Sequence, residues 1–331
     1  MRTAQDPRLP RTGPRTWRRG AAWAAGPLLA GPTVVAVCRT GGTDAITPVP
    51  QLLSFLPWLT VPAGLALLLA LAARRPLLIA WAAVALAVTG WYAQPYGPDR
   101  TRAHGPVVAQ LRVLAANVEF GRAAPELLDA IRRERPALVF VSECDPGCAD
   151  VLTDALRAGH PHRADAPEAG PAGSLILSSH PLTGEPALTG TLGMPGATAR
   201  IAGKDVRLQL AHPMPPVPGQ VDVWKRELGR VAAFAAGHAG GPTLLAGDFN
   251  ASQDHAAFRA VLDSGSLHDA ARLGGAARTP SWPQGGPVPP YVQIDHVLVS
   301  EDFSVRGARF LPLPRTDHRA LLVDLDLHGG P

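Results

Sequence analysis

The chain has 331 residues, of which 46% are hydrophobic and 18% are charged, and its formal net charge is +4 at pH 7. That composition fits one substantial domain with additional apolar segments. The charge is uneven: residues 1–104 hold 11 of the 31 basic residues but only 3 of the 27 acidic ones, so residues 105–331 carry about −4. A non-specific nucleic-acid binder usually carries a basic face, and the charge of this part argues against that class without excluding a nuclease.

Three uncharged apolar segments lie near the N-terminus, at residues 21–38, 52–73 and 77–93. Their lengths predict membrane-spanning helices, and Trp91 and Tyr92 at the end of the third form an interfacial aromatic pair. The first segment could instead be the core of a signal peptide, although its cleavage site is poor. Buried helices of a soluble protein are the remaining alternative for all three segments.

The arginines predict the orientation of these spans, because cytoplasmic flanks carry an excess of positive charge. Arg74 and Arg75 lie in the short turn between the second and third spans, which we expect inside. The N-terminal tail also belongs inside, with six arginines: Arg2, Arg8, Arg11, Arg15, Arg18 and Arg19. Three spans then place everything after residue 96 outside, in a multi-pass protein of the cell membrane.

The sequence therefore predicts four parts. Residues 1–20 form a basic cytoplasmic tail, 21–96 the three transmembrane helices, 97–109 a linker rich in turn residues, and 110–328 a second domain. In this domain, apolar runs predict strands at residues 111–118, 137–142, 174–179, 206–211, 243–246, 291–299 and 320–327. Amphipathic patterns predict helices at residues 124–135, 149–158, 220–236 and 255–262. This order fits an α/β layered sandwich with helices outside and polar groups at one rim.

Single polar residues close three of the predicted strands: Asn117, Glu143 and His212. Each could be an ordinary strand-end residue, and Asn is a common turn former. The equivalent positions of Asn117 and Glu143 on successive strands favour a functional site. A carboxylate there suits Mg²⁺, which takes oxygen ligands, and an imidazole can donate to a phosphate or transfer a proton.

Asp248 and Asn250 are two residues apart in Gly-Asp-Phe-Asn, so in extended geometry they face the same side and Phe249 points into the core. An Asx turn is the alternative interpretation of this pair. Further along, Asp295-His296 and Asp317-His318 form two carboxylate–histidine blocks.

Neighbouring strand residues point in opposite directions, so only one member of each block can face the site. We expect Asp295 to orient His318, with Asp317 lending charge nearby and His296 packing in the sheet.

Cys144 and Cys148 follow Glu143 directly and enclose Asp-Pro-Gly. A disulfide across this turn is consistent with a location outside the cytoplasm, and two isolated thiols are the alternative. A zinc site is not indicated, because no second pair of ligands has suitable spacing.

Together these residues resemble the endonuclease/exonuclease/phosphatase superfamily in its membrane-anchored bacterial type, across roughly residues 110–328. The resemblance rests on six blocks in order: Asn117, Glu143, His212, Gly-Asp-Phe-Asn at 247–250, Ile-Asp-His-Val at 294–297 and Thr-Asp-His-Arg at 316–319. It implies a DNase I-like four-layer αββα sandwich and single-step in-line attack by water.

The resemblance also implies roles for individual residues. Glu143 would be the main ligand of Mg²⁺, or of Mn²⁺, with Asn117 beside it and Asp317 near the metal. Asp248 would position or deprotonate the attacking water. His212 and Asn250 would hold the phosphate, while Asp295 orients His318 against the scissile group. Ser281-Trp282-Pro283 resembles a further family block at the substrate rim, although loop packing explains it equally well.

Three function classes follow from this resemblance. The first is a metal-dependent phosphodiesterase or nuclease, with extracellular DNA as a candidate substrate. The second is a phosphatase-type hydrolase of phospholipids, phosphoinositides or small esters, and the third is an inactive binding module on a membrane anchor. The expected partners are a phosphoester substrate, either nucleic acid or a lipid headgroup, and the bilayer; no protein partner is indicated.

Overall fold

The computed structural model describes residues 14–44, 46–237, 240–287, 289 and 291–329, with side chains from residue 16 onward. Most of the predicted basic tail, including Arg2, Arg8 and Arg11, lies outside the described residues. The chain forms two compact units. The helical unit comprises Met1–Gly41 and Phe55–Gln94, and the sandwich unit comprises Gly42–Ser54 and Pro95–Pro331.

In chain order, the helices are α1 (Pro14–Thr40), α2 (Val49–Leu53), α3 (Thr60–Ala73), α4 (Pro76–Tyr92), α5 (Ala124–Glu134), α6 (Pro146–Leu156), α7 (Val221–Ala236), α8 (Ala256–Gly265) and α9 (Ala270–Leu273). Short 3₁₀ turns lie at Leu56–Leu59 and Gly170–Ala172. The strands are β1 (Val107–Asn117), β2 (Leu138–Ser142), β3 (His162–Ala166), β4 (Ser174–Ser178), β5 (Leu182–Leu188), β6 (Met194–Ile201), β7 (Lys204–Leu210), β8 (Thr243–Asp248), β9 (His268–Asp269), β10 (Asp295–Val299), β11 (Phe303–Leu311) and β12 (Ala320–His328).

The helical unit packs α1, α3 and α4 around small side chains. Its apolar cluster contains Ala25, Leu29, Ala66, Ala82 and Ala85. Among the described residues, two helices, Thr16–Thr40 and Leu56–Ala73, are long and apolar enough to cross a membrane by length and composition, and Pro76–Tyr92 is a shorter apolar helix.

The second predicted span differs from the structure at its start. Residues 49–53 form α2, which belongs to the sandwich unit, and a 3₁₀ turn containing Pro57 precedes α3. Proline lacks the N–H that a continuous helix needs, so the helical run that continues into α3 begins at Leu56. Pro57 is the signal for this break in the sequence.

The sandwich unit contains two six-stranded sheets. The first has the order β11-β12-β1-β2-β4-β3, and the second has the order β5-β6-β7-β8-β10-β9. Each has one parallel pair near its centre, β1 with β2 and β7 with β8, while the other pairs are antiparallel. Because β1 and β2 run in the same direction, their carboxyl ends meet at one edge.

Three apolar clusters account for the layers of the sandwich. One lies between the sheets and includes Phe140, Leu208 and Val323. A second packs α5 and α6 on the first sheet, and a third packs α7 and α8 on the second sheet. The αββα sandwich predicted from the sequence is thus the observed fold.

Several strands had no clear signal in the sequence, namely β3, β5, β6, β9 and β11. Most of β5 is exposed, and it contains Gly184 and Pro186, as expected of an edge strand. β1 begins at Val107, inside the segment predicted as a linker, and β10 begins only at Asp295 rather than at residue 291.

Candidate active site

The predicted polar residues lie where central strands of the two sheets begin or end. Asn117 is the last residue of β1, and Glu143 follows β2 directly. Asp248 closes β8 and pairs in register with Asp295, the first residue of β10. Strand direction and register therefore bring residues that are far apart in sequence to one rim of the sandwich.

Asn117 connects the two sheets at this rim. Its side-chain amide donates to Oε1 of Glu143 at 3.0 Å and to Oδ2 of Asp248 at 3.2 Å. Its side-chain oxygen Oδ1 accepts the N–H of Glu119 at 2.9 Å, which shapes the turn after β1. Since Asn117 is buried, these bonds hold two carboxylates of different sheets near each other.

Glu143 adopts a left-handed backbone conformation with φ of 57°. Such a conformation is uncommon outside glycine and marks a backbone held by its surroundings. Its Oε2 accepts the N–H of Phe120 at 3.2 Å. Burial raises the pKa of the Glu143 carboxyl, and the hydrogen bond from Asn117 opposes that shift.

A disulfide joins Cys144 to Cys148 immediately after Glu143, which is one of the two alternatives that the sequence left open. The N–H of Cys144 also donates to the carbonyl of Gly173 at 2.9 Å. A Cβ at Gly173 would lie 2.2 Å from the Cys144 carbonyl oxygen, so only glycine permits this approach. The segment after Glu143 is thus fixed by a covalent bond and by backbone contact.

His318 lies between two carboxylates. Its Nδ1 is 3.0 Å from Oδ2 of Asp295, and its Nε2 is 3.7 Å from Oδ2 of Asp248. Asp317 is also near, with Oδ1 at 3.7 Å from the same Nε2. The predicted pairing of Asp295 with His318 is therefore present.

The ionisation of these groups follows from burial and from their mutual charges. Burial disfavours the charged form of His318, but attraction to Asp295 and Asp248 outweighs it and raises the pKa of His318 to about 10. Burial raises the pKa of Asp248 to about 7, against the attraction of His318. The site thus combines a histidine cation with a carboxyl that titrates near neutral pH.

His212 follows β7 and is fully buried. Burial and the charge of His318 lower the pKa of His212 to about 3, so its imidazole is neutral. Its Nε2 is 4.0 Å from Oδ2 of Asp248, while its Nδ1 is buried without a hydrogen-bond partner among the described residues. The side chain of His212 faces the site, and its Nδ1 is available for a further hydrogen bond.

The extended interpretation of Gly-Asp-Phe-Asn expected Asn250 to continue the strand. In the structure Asn250 does not continue it. Its φ is 48°, and its N–H donates to Oδ1 of Asp248 at 2.8 Å in an Asx-type turn. Its side-chain amide donates to the carbonyl of Pro213 at 3.0 Å, which ties the turn to the loop after His212. A Cβ at Gly247 would lie 2.3 Å from the Ala211 carbonyl oxygen, so glycine is needed there.

Phe249 and His296 point away from the site, as predicted. Phe249 is buried in the cluster under α7 and α8. His296 is bonded through Nδ1 to Oδ2 of Asp269 at 2.9 Å and through Nε2 to the Ala251 carbonyl at 3.0 Å. Its ring contacts Phe258 at 4.2 Å between centroids, so its role is packing.

The segment from Ser281 to Gln284 supports the loop that carries Asp317 and His318. The indole of Trp282 donates to Oδ2 of Asp317 at 2.8 Å. The side-chain amide of Gln284 donates to the carbonyls of Leu313 and His318, each at 2.6 Å. The sequence predictions included the Ser-Trp-Pro block but missed Gln284.

Two hydroxyl groups complete this support. Oγ of Ser281 accepts the N–H of Asp295 at 3.2 Å. Oγ1 of Thr316 donates to the carbonyl of Asn117 at 2.9 Å and accepts the N–H of His318 at 3.1 Å. Both residues belong to blocks that the sequence analysis singled out, Ser281 in Ser-Trp-Pro and Thr316 in Thr-Asp-His-Arg, although no role was predicted for either hydroxyl.

The residues at this rim fit a divalent cation. Four carboxylates, Glu143, Asp248, Asp295 and Asp317, surround one histidine cation, which leaves an excess of negative charge. Oδ1 of Asp295 is buried without a hydrogen-bond partner among the described residues. Ligand atoms of Asp248, Asp295 and His318 lie within 4.8 Å of one another. The imidazole is protonated, so the carboxylate oxygens are the available donors, and hard oxygen donors suit Mg²⁺ or Mn²⁺.

No curated protein matches this sequence. Among solved structures, an endonuclease/exonuclease/phosphatase from Beutenbergia cavernae DSM 12333 has 23% identity and a TM-score of 0.55, over 67% of this chain and 72% of that one. A humanized D. rerio TDP2 has 14% identity and a TM-score of 0.54, covering 66% of this chain and 99% of its own. The human Nocturnin catalytic domain has 18% identity and a TM-score of 0.52, covering 71% and 99%.

At these identities the structures show a shared fold. The sequence profile of the Endonuclease/Exonuclease/phosphatase family matches residues 114–318, which is more than half of the chain and spans every residue of the rim described above. The chain therefore belongs to the Endonuclease/Exonuclease/phosphatase family.

Proposed function

We propose that this protein is a Mg²⁺-dependent phosphoesterase that cleaves a phosphodiester or phosphomonoester bond by in-line attack of water. Its catalytic domain lies on the outer face of a membrane. The observation that carries the catalytic part is the position of Asp248, whose Oδ2 lies 3.2 Å from the amide of Asn117 and 3.7 Å from Nε2 of His318. A carboxylate that titrates near pH 7 is suited to activating water.

Asp248 acts in this proposal as the group that orients and deprotonates the attacking water. Each of its oxygens accepts one hydrogen bond, Oδ1 from the N–H of Asn250 and Oδ2 from the amide of Asn117. Oδ2 is the oxygen nearer to Nε2 of His318, and its second lone pair would accept the water. Efficient proton transfer requires a base whose pKa is near the working pH, and burial provides this for Asp248.

His318 and His212 stabilise the phosphoryl oxygens in different ways. His318 remains cationic because of Asp295 and Asp248, and it opposes the negative charge that develops in the transition state. His212 is neutral and can donate a hydrogen bond without adding charge. Asn250 keeps the loop after His212 in place through the Pro213 carbonyl. In this proposal its side chain would also help to hold the phosphate.

Glu143, with Asn117 beside it and Asp317 nearby, would hold the cation. When bound, Mg²⁺ supplies charge neutralisation at a non-bridging oxygen and at the leaving group. The chain's own part is to fix the Glu143 carboxylate through Asn117 and the Phe120 N–H. These contacts would fix the carboxylate that holds the cation.

The helical unit supports the membrane part of the proposal. Its interior consists mainly of alanines, whereas large apolar side chains face outward, with Trp23 82%, Leu77 85% and Trp91 75% exposed. Helix pairs that face lipid use small residues at their contacts and present large apolar ones to the hydrocarbon. Arg18, Arg19, Arg74 and Arg75 favour an outward orientation of the catalytic domain.

The substrate class is tested directly by comparing two phosphodiesters. The full chain, in detergent or proteoliposomes, is incubated with plasmid DNA and with phospholipid vesicles, each with Mg²⁺ or with EDTA. We expect Mg²⁺-dependent release of product from one of them, abolished in Glu143→Ala and retained in Glu185→Ala, which alters an exposed carboxylate on the edge strand β5.

Cleavage of DNA would favour a nuclease, and cleavage of lipid would favour a headgroup hydrolase. Turnover on neither substrate nor on a generic phosphate ester, with Glu143→Ala like the wild type, would favour a binding module instead. For the orientation, a reporter fused after residue 331 should be active outside, and activity only in the cytoplasm would contradict it.

A further inference from the structure

The segment Gly42–Ser54 follows α1 and precedes two apolar helices, yet it belongs to the sandwich unit. We refer to it as the docking segment; residue 45 within it lies outside the described residues. Its contacts are made with α7, α8 and the loops after β7 and β8. No residue of the sequence motifs lies in this segment.

Asp44 anchors the first part of the docking segment. It is 1% exposed, and its Oδ2 accepts the N–H of Ala257 in the first turn of α8 at 2.8 Å. The N-cap residue of α8 is His255, whose side chain does not accept a hydrogen bond from the first turn. The carboxylate of Asp44, which is distant in sequence, takes this capping role instead. Oδ1 of Asp44 lies 3.6 Å from Nζ of Lys225 on α7, which compensates the buried charge.

His255 anchors the second part. Its Nδ1 accepts the N–H of Ser252 at 2.9 Å, so the proton is on Nε2, which donates to the Pro50 carbonyl at 2.8 Å. The buried ring packs edge-on against Trp224, with 5.2 Å between centroids. The indole of Trp224 in turn donates to the carbonyl of Asn250 at 3.1 Å.

The docking segment also contacts the loop after His212. The side-chain amide of Gln51 donates to the carbonyl of Pro216 in that loop. In the same loop, the carbonyl of Pro213 accepts a hydrogen bond from the side-chain amide of Asn250. The two loops that carry His212 and Asn250 are therefore bonded both to each other and to this segment.

We propose that the docking segment is a built-in part of the catalytic domain that positions the loops carrying His212 and Asn250. The effect of the docking segment on catalysis rests on the proposed phosphoesterase function. The contact of this segment with the rest of the sandwich unit does not depend on that function. The anchors, Asp44 and His255, act through other residues and are positioning residues.

A cysteine pair tests the docking without any measurement of activity. A Cβ built on Gly42 would lie 3.8 Å from Cβ of Ala256, within the usual range for a disulfide. In a Cys38→Ser background, the full chain with Gly42→Cys and Ala256→Cys should lose both new thiols on mild oxidation in membranes. The matched control carries Gly97→Cys with Ala256→Cys, because Gly97 also has a positive φ but its Cβ would meet nothing within 4 Å.

Free thiols counted by mass after labelling give the readout. We expect a disulfide in the protein with Gly42→Cys and Ala256→Cys, and none in the control with Gly97→Cys and Ala256→Cys. Two free thiols in both proteins would overturn the inference that the docking segment contacts α8. This holds whether or not the protein hydrolyses any substrate.

The positioning role is tested by substitution of Asp44. Asp44→Ala removes the acceptor for the Ala257 N–H and should lower kcat about tenfold, the size found for residues that orient a site indirectly. Asp44→Asn retains an oxygen acceptor and should restore most of the rate. Asp99→Ala, which alters an exposed aspartate of the same unit, should leave the rate unchanged.

All three variants should keep the wild-type circular dichroism spectrum. Wild-type kcat in Asp44→Ala, or an equal loss in Asp44→Asn and Asp44→Ala, would overturn the positioning role. An inactive wild type would instead contradict the proposed function, and the cysteine pair would still report on docking.

Discussion

Nδ1 of His318 lies 3.0 Å from Oδ2 of Asp295, a contact between the loop before β12 in one sheet and the first residue of β10 in the other. The contact is buried on both sides. It joins the two sheets at the rim and keeps the positive charge that the proposed phosphate chemistry requires.

The two residues should therefore behave as one catalytic unit. Asp295→Asn and His318→Gln are each expected to lower kcat/KM by about 100-fold, and the double variant should be little worse than the more damaging single one. Steady-state kinetics of the four proteins form the double-mutant cycle. Losses that simply multiply would mean that Asp295 does not act through His318.

Stability should depend on pH through His318. Its pKa is raised from 6.5 to about 10 in the folded protein, so its contribution to stability is complete below pH 6.5 and is lost as the pH rises through 10. Asp248 has a pKa of about 7 in the folded protein, so it is mostly deprotonated by pH 8 and contributes little to the change in stability above that pH.

In EDTA, the melting temperature of the wild type should thus fall between pH 8 and pH 10, and that of His318→Gln should fall less steeply. Melting curves recorded by intrinsic fluorescence give the comparison. Parallel curves for the two proteins would contradict a raised pKa.

Glu143→Gln keeps the shape of the side chain but removes its charge. We expect weaker Mg²⁺ binding and a loss of kcat of at least about 100-fold, because a carboxylate oxygen is a far better ligand for this cation than an amide. Titration calorimetry with Mg²⁺ and rates measured at increasing Mg²⁺ provide the two readouts. Full recovery of kcat at high Mg²⁺ would limit the role of Glu143 to affinity.

Removing the disulfide should affect both stability and activity. Its closed loop is short, so Cys144→Ser with Cys148→Ser should lower the unfolding free energy by about 2 kcal/mol. Because Glu143 directly precedes the bridge, the apparent affinity for Mg²⁺ should fall as well. Chemical denaturation and the Mg²⁺ dependence of the rate measure these effects, and an unchanged Mg²⁺ dependence would show that the backbone contact to Gly173 suffices.

Gln284 should prove important although it lies outside every motif. Gln284→Ala removes the donor to the Leu313 and His318 carbonyls and is expected to lower kcat about tenfold. Gln284→Glu has the same shape but places a carboxylate against those carbonyls, so its loss should be larger. Equal rates for the three proteins would show that Trp282 alone supports this loop.

The residues that the sequence predicted well are those whose position follows from local periodicity. Asn117 and Glu143 close apolar strands, and the alternation of β10 assigns Asp295 to the site and His296 to the core. Asn250 was placed less accurately, because an Asx turn and an extended strand share the same spacing. Gln284 and Asp44 could not be predicted, since their partners are distant in sequence and only the folded chain brings them together.

Under the proposed membrane location, the docking segment also constrains the path of the chain. The chain leaves the sandwich unit after Ser54 and rejoins it at Pro95, so both parts of that unit must occupy the same compartment. Between these points the number of crossings must be even. If α3 crosses the bilayer, α4 must cross it too, despite having only 17 residues. The two helices then form a transmembrane hairpin that starts and ends on the catalytic side.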